Sequence, residues 1–331
     1  MSGRGIKLSR RSEWILFLVF VLCAAGLFTY VFLSEKQKPE PLGDPDAYRM
    51  SNAISVETEK YAKKTGLTSI LLIGVDRDEK TEAAGMRNGG QADFLRLLVL
   101  DKKEKTLTQI QIDRDTMTPI TVPSLFGGSS RKRTERISLS HGFGDGDAQS
   151  CELTMDAAEE LLNGIHIDYY VSLTMNGIPV LNDLLGGVTV TVKDDLSYAS
   201  ERLVPGAVVT LTGNEAYSFL RSRMAVGGGT NSERMLRQQS YLQAAGELLK
   251  AKLQGSLSFG ETLYEALRPY MVTNMPKGTL VNEAYAASGY EMGAFYSPDG
   301  VHEIDEDGFM MFTVDREALD RIVLDVFYDR I

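Results

Sequence analysis

A chain of 331 residues, 43% of them hydrophobic and 24% charged, has the composition of a globular protein with ample core, which excludes a low-complexity or disordered chain. Its formal net charge of −10 argues against nucleic acid as a partner, because a domain that grips polyphosphate chains is normally basic overall. There are two cysteines, and Cys23 lies in an apolar run, so Cys151 has no partner for a disulfide in the rest of the chain.

Residues 1–13 form a basic tail with Arg4, Lys7, Arg10 and Arg11. Trp14 to Leu33 then carries no charge over 20 positions, enough at about 1.5 Å per residue to cross a hydrocarbon layer about 30 Å thick. This run reads as one transmembrane helix with interfacial Trp14 and Tyr30. The basic side stays in the cytoplasm, so the C-terminal bulk is expected outside the cell membrane. A cleaved signal peptide fits less well, since the run exceeds a typical apolar core and no small-x-small site follows. Leu22 before Cys23 is too bulky for a lipid-attachment site. Residues 34–66 hold Pro39, Pro41 and Pro45, a stiff stalk, and then a short helix expected over Tyr48 to Lys64 from the spacing of Met50, Ile54 and Tyr61.

Residues 67–331 alternate strand and helix signals. Thr68 to Val75 is an apolar strand ending in Asp76, followed by a polar loop, Arg77 to Gly90. Phe94 to Leu100 and Leu107 to Ile112 are strands joined by the charged turn Lys102 to Lys105. If they pair as a hairpin, Asp101 faces Thr106 and, counting back, Asp93 faces Arg114, which puts a carboxylate beside the Arg114-Asp115 pair. Met155 to Leu162 is a helix closed by Gly164, Tyr169 to Leu173 a strand, Met175 to Leu185 a helix stopped by Gly186-Gly187, and Val188 to Val192 a strand with one wet face. Thr212 to Glu215 is a capping box. It starts a helix that carries Arg221 and Arg223 in its last turns and is expected to end near Arg223. A second helix begins near Asn231 or Ser232 and runs to about Leu253, with Arg234 and Gln238 four apart on one face. Helices near Glu261 to Met271 and over Arg316 to Phe327 complete an α/β domain with a central sheet.

Arg221, Arg223, Arg234 and Arg237, with Gln238 and Gln239, flank the glycine-rich loop Gly227 to Gly229 and read as a cationic clamp for a strong anion such as pyrophosphate. The competing reading is two solvated helix faces. Asp76, Asp93 and Asp115 sit where strands meet loops, positions at which a lone Asp is commonly a turn former. Mg²⁺ takes one or two carboxylates and fills its remaining positions with water and phosphates, so Asp76, Asp93 and a bound pyrophosphate would satisfy it. The three histidines, His141, His166 and His302, are scattered, and no hydrolase triad or His/Cys metal site is recognisable.

In order along the chain, LLIGVD (71–76), QADFLRLLVLD (91–101), QIDRDTMTPI (111–120), RISLSHGFGDG (136–146), IDYYVSL (167–173), LLGGVTVTV (184–192), TGNEAYSFLRSR (212–223) and RMLRQQ (234–239) resemble the LytR-CpsA-Psr (LCP) family of cell-envelope proteins. The resemblance implies a central mixed β-sheet flanked by helices, preceded by one N-terminal transmembrane helix. It implies Asp76 and Asp93 on Mg²⁺, and Arg114, Arg221, Arg223, Arg234 and Gln238 on the pyrophosphate, with Arg87 and Arg237 nearby. Asp93, Arg114 and Arg234 are the catalytic candidates. The implied activity is phosphotransfer of an anionic or capsular glycopolymer, such as a teichoic acid, from a polyprenyl-pyrophosphate carrier to peptidoglycan. The same site could hydrolyse a polyprenyl pyrophosphate, or bind polyprenyl phosphate in a regulator without turnover. Two positions depart from the family: Gln91 stands where it usually has an arginine, and Asn231 where it often has an aspartate that could serve as general base. An amide cannot take a proton, so Asp93, Asp115 or Glu233 would have to substitute.

Overall fold

The computed structural model describes residues 54–56, 59–77, 89–124, 129–222 and 231–331, with the side chains of residues 55, 56, 231–235 and 257 excepted. The expected transmembrane helix and stalk lie outside the described residues. Among the described residues, no helix is long and apolar enough to cross a membrane.

In chain order the elements are β1 (Ile54–Val56), β2 (Glu59–Lys63), β3 (Leu67–Val75), β4 (Ala92–Asp101), β5 (Thr106–Ile112), β6 (Met117–Val122), β7 (Arg131–Arg136), α1 (Leu139–Gly142), α2 (Ala148–Leu161), β8 (Tyr169–Thr174), α3 (Gly177–Leu185), β9 (Thr189–Thr191), β10 (Val208–Thr210), α4 (Gly213–Arg221), α5 (Asn231–Gly255), α6 (Leu257–Leu267), β11 (Met271–Thr273), α7 (Lys277–Ser288), β12 (Glu291–Tyr296), β13 (Gly300–Ile304), β14 (Met310–Val314), α8 (Arg316–Phe327) and β15 (Tyr328–Arg330). Lys64 to Asp329 form one compact unit, and residues up to Lys63 with Arg330 and Ile331 form another. In the second, β1 and β2 pair antiparallel with Ile54 opposite Tyr61, where a helix was expected. Ile54 and Tyr61 do sit at helical spacing, but β-branched Ile54 and Val56 suit an extended ribbon better.

The larger unit is built on a six-stranded mixed sheet in the order β11-β8-β3-β4-β5-β12. Strand β3 runs antiparallel to β4 and parallel to β8, and apolar clusters cover both its faces, Leu71 and Ile73 on one side and Ile70 on the other, as its apolar sequence requires. Strands β4 and β5 pair with Asp101 opposite Thr106 and Leu95 opposite Ile112, the register expected from the sequence. Leu71, Ile73, Leu95, Leu97, Ile110 and Ile112 point to one face, where α2 and α8 cover them through Ala157, Leu161, Leu319 and Val323. Ile70, Leu72, Leu98, Leu100 and Leu107 point to the other, against Met275, Leu280 and Ala287. A separate apolar cluster, with Leu185, Val188, Val190, Phe219 and Tyr241, packs α3, β9, α4 and α5 together and fixes the helix pair that carries the arginines.

Helix boundaries follow local chemistry. Thr212 and Glu215 form the reciprocal capping box at the start of α4. Gly186 ends α3 at φ 89°, the left-handed conformation that favours glycine. Helix α6 stops at Leu267, earlier than expected, because Pro269 cannot continue it; a short 3₁₀ turn and β11 follow.

His141 is packed inside, 1% exposed, with Nδ1 3.3 Å from the Gly90 carbonyl and Nε2 3.9 Å from Cys151 Sγ. Burial lowers its pKa from 6.5 to about 4, so the imidazole is neutral in the folded protein. The unfolded chain binds the proton first as pH falls, so stability is complete above the usual histidine value and is lost progressively toward pH 4. We expect the wild type to lose on the order of 3 kcal/mol more than His141→Asn between pH 7 and pH 4, measured by urea unfolding at each pH. Parallel losses would place the acid sensitivity elsewhere.

Candidate functional site

Two features of the sheet create the site. The first is a bulge: Gly74 pairs with Phe94 and Val75 with Ala92, leaving Asp93 as the extra residue of β4. The Asp76 N–H donates to the Gln91 carbonyl at 3.1 Å, which ties the exit of β3 to the entry of β4. The second is the β4–β5 register, which carries Arg114 to the same corner just after β5 ends.

There the Arg114 guanidinium, 9% exposed, is held from three sides. Nη1 donates to Asp93 Oδ1 and Nη2 to Gln91 Oε1, while Nε lies 3.3 Å from Asp115 Oδ1. The Nε contact is within ion-pair range, but its N–H has no aligned acceptor, so Asp115 acts through charge. The Asp93 to Arg114 facing is the one expected from the sequence. Gln91 has a role that sequence reasoning did not find: its amide oxygen accepts from Arg114.

Beside this cluster is a cavity of about 480 Å³ whose lining includes Asp113 and Thr116, either side of the Arg114-Asp115 pair, Gln238 and Gln239 from α5, and His302 from β13. Its wall on β4 and β5 is Arg96 and Gln111, opposite one another in register. Arg96 is 6% exposed. Its Nε and Nη2 donate to Gln111 Oε1 at 2.9 and 2.8 Å, and Nη1 to Gln109 Oε1 at 3.1 Å. The Phe94 and Phe295 rings lie 5.2 and 5.1 Å from its guanidinium carbon. Burial pulls its pKa down to about 10.

The expected clamp is brought together in part. Arg114 stands in the carboxylate cluster and Gln238 on the cavity wall. Arg221 is exposed at the end of α4, its side chain turned back over the Tyr217 ring at 5.3 Å. Arg87 and Arg223 lie outside the described residues, and of Arg234 only the backbone, on α5, is described. Asp76 is exposed at the end of β3. Arg237 is a correction. It is 4% exposed, with Nη1 2.7 Å from Asp194 Oδ2, Nε donating to the Phe219 carbonyl at 3.3 Å and Nη2 to the Ser222 carbonyl. It caps the C-terminal end of α4 and has no fork left for a phosphate. Helix α4 also ends at Arg221, not Arg223, because Ser222 turns to ψ 127° and its hydroxyl donates back to the Ser218 carbonyl at 2.6 Å. Gln91, Arg96, Asp113 and His302 are site residues that sequence reasoning did not select; the signal available for Asp113 was its place two residues before Asp115.

The model of the LytR_cpsA_psr family matches residues 33–324. The chain belongs to that family. It is 28% identical over 266 residues, 79% of this chain and 78% of the relative, to the polyisoprenyl-teichoic acid–peptidoglycan teichoic acid transferase TagU of Bacillus cereus. Against TagU of Halalkalibacterium halodurans it is 34% identical over 155 residues, 47% of this chain and 44% of that protein. Among solved structures, protein gbs0355 from Streptococcus agalactiae shares the fold with a TM-score of 0.64 and 22% identity, covering 79% of this chain and 87% of that one. The mixed sheet flanked by helices is therefore the LCP architecture.

The division between buried and exposed arginines is testable. Arg237→Met strands Asp194 and two carbonyls and is expected to cost about 2 to 4 kcal/mol of unfolding free energy, somewhat below a fully buried pair because Asp194 is partly exposed. Arg221→Met, at an exposed helix end, should change stability by at most about 0.5 kcal/mol. Urea titration of both variants checks this, and equal losses would remove the distinction.

Proposed function

We propose that this LCP protein is a membrane-anchored glycopolymer transferase that moves an anionic glycopolymer from a polyprenyl-pyrophosphate carrier to peptidoglycan. The observations that carry the reading are a family match over residues 33–324 and the meeting of Asp93, Arg114 and Asp115 at one corner of the sheet, beside a cavity lined by Gln238. Similarity to TagU supports the same reaction class.

Transfer from a pyrophosphate requires neutralisation of charge on the phosphate oxygens and positioning of the incoming hydroxyl. Arg114, Arg221, Arg223 and Arg234 would supply the first, Gln238 an amide donor, and Arg87 a further cation. The acceptor oxygen bonds to the glycopolymer-side phosphorus, the bond from that phosphorus to the bridging oxygen breaks, and polyprenyl phosphate leaves. Asp76 and Asp93 suit a hard cation: both are carboxylates at the stitched ends of β3 and β4, and two are as many as Mg²⁺ takes from protein in phosphate sites. Bound there, Mg²⁺ would neutralise phosphate charge. Mg²⁺ in phosphate sites fills the rest of its shell with phosphate oxygens and water. The run Trp14 to Leu33 would anchor the chain with the domain outside, where peptidoglycan lies. Asn231 in place of an aspartate favours a second reading, a polyprenyl-phosphate-binding regulator without turnover.

The test is to incubate the full chain in detergent with Mg²⁺, a short lipid-pyrophosphate oligosaccharide and peptidoglycan, following polyprenyl phosphate and polymer-bearing peptidoglycan by mass spectrometry. Transfer to peptidoglycan is expected; release with water alone indicates hydrolysis, and bound lipid without release indicates the regulator. Asp76→Asn should abolish Mg²⁺-dependent release while thermal stability holds, because Asp76 is exposed. Undiminished turnover would make Asp76 a strand-end turn former.

A further inference from the structure

The β13–β14 hairpin contributes to the cavity through His302, which lies outside every motif of the family reading and pairs with Asp113. Asp113, 8% exposed, accepts the Asp115 N–H on Oδ1 at 2.9 Å, and its Oδ2 lies 3.0 Å from His302 Nε2. His302 pairs across the hairpin with Phe312, the two rings 4.6 Å apart. Phe312 N–H donates to the Asp115 carbonyl at 2.8 Å, and Thr116 and Phe312 form a parallel bridge. The hairpin is thus pinned by backbone bonds to the segment that carries Arg114, and His302 is held against Asp113 by register, by ring packing and by its hydrogen bond.

The carboxylate side chain is 7% exposed and the imidazole 35%, and both line the cavity that Gln238 enters. With Asp113 accepting at Nε2–H, the proton is fixed on that nitrogen and the lone pair rests on Nδ1. The other charged groups on the cavity wall are Arg96, taken up by Gln109 and Gln111, and Asp299.

We propose that His302, oriented by Asp113, is the general base of the transfer reaction and fills the role that Asn231 cannot. This rests on the transferase reading above. As the acceptor hydroxyl oxygen bonds to the glycopolymer-side phosphorus, its proton passes to His302 Nδ1. The bond to the bridging oxygen breaks, the electron pair leaves with polyprenyl phosphate, and the imidazolium returns the proton to solvent. Asp113 is a positioning residue: it holds the tautomer and the ring, as the carboxylate does in other His–Asp pairs.

The experiment compares full-length wild type, His302→Gln and Asp113→Asn in the same detergent assay, with peptidoglycan or water as acceptor, across pH, and measures retained lipid separately by mass spectrometry. His302→Gln should retain lipid as the wild type does and lose about 100-fold or more in turnover. It should also lose the rising limb of the wild type's pH–rate profile. Asp113→Asn should lower turnover without lowering lipid retention, since an amide can donate to Nε2 and reverse the tautomer. An unchanged rate and profile in His302→Gln, beside an active wild type, overturns the base alone. So does a loss of lipid retention that parallels the loss of turnover, which would make His302 a binding residue. A wild type that releases no polyprenyl phosphate with either acceptor overturns the base and the transferase reading together.

Discussion

The register of β4 against β5 is the constraint on which the site depends. In an antiparallel pair the residue numbers of partners have a constant sum, so Asp101 opposite Thr106 also commits Leu95 to Ile112 and carries Asp93 to Arg114 beyond the last ladder bond. A slip of β5 by one residue would turn Ile110 and Ile112 out of the core, and would separate the guanidinium from its carboxylate in the same movement. Core packing and site geometry are therefore enforced by one choice. The bulge at Asp93 adds the local departure that lets this carboxylate leave the ladder and meet Arg114.

The same sheet explains why arginines of similar appearance in the sequence have different uses. Arg237 looked like part of the clamp because it is one of four arginines flanking the glycine-rich loop, but its environment is Asp194 and the carbonyls that end α4. Its charge is consumed in holding the end of α4, from which Arg221 projects. Arg114 has its charge answered by Asp93 and Asp115 at the sheet corner. Arg221 is exposed, with its own Tyr217 as its neighbour. Residue type and spacing place cations near one another; burial and acceptor identity decide what each can bind.

Much of the fold was legible. Capping-box residues, glycines at helix ends and long apolar strands are local signals, and Arg316 to Phe327, the start at Asn231 and the strand Thr68 to Val75 follow from them. Elements without a period were not legible. The strand Arg131–Arg136 has no apolar residue and forms only because β6 pairs with it, and β12 is a nearly wholly exposed edge strand. The ribbon at Ile54 to Lys63 was misread because a short segment can carry helical spacing by coincidence. At the site, Asp93 and Arg114 could be paired by counting. Asp113 and His302 could not, because 189 residues separate them and the contact depends on a hairpin whose docking is tertiary.

The choice of amides as acceptors follows from what a guanidinium is for. A carboxylate partner fixes an arginine and also cancels its charge, whereas a glutamine oxygen fixes it and leaves the charge in place. Gln91 holds one edge of Arg114, and Gln109 and Gln111 hold Arg96, with Phe94 and Phe295 packed against its faces. Burying a charge among neutral groups is expensive, as the lowered Arg96 pKa reflects, and three charge-assisted bonds of roughly 1.5 to 3 kcal/mol each are what makes it tolerable. The result is a cavity wall with positive charge already desolvated and oriented before a ligand arrives. A solvated surface arginine would have to shed water and side-chain freedom first. At the Arg114 corner the Gln91 oxygen adds a third contact that orients the guanidinium without adding to the negative charge of Asp93 and Asp115.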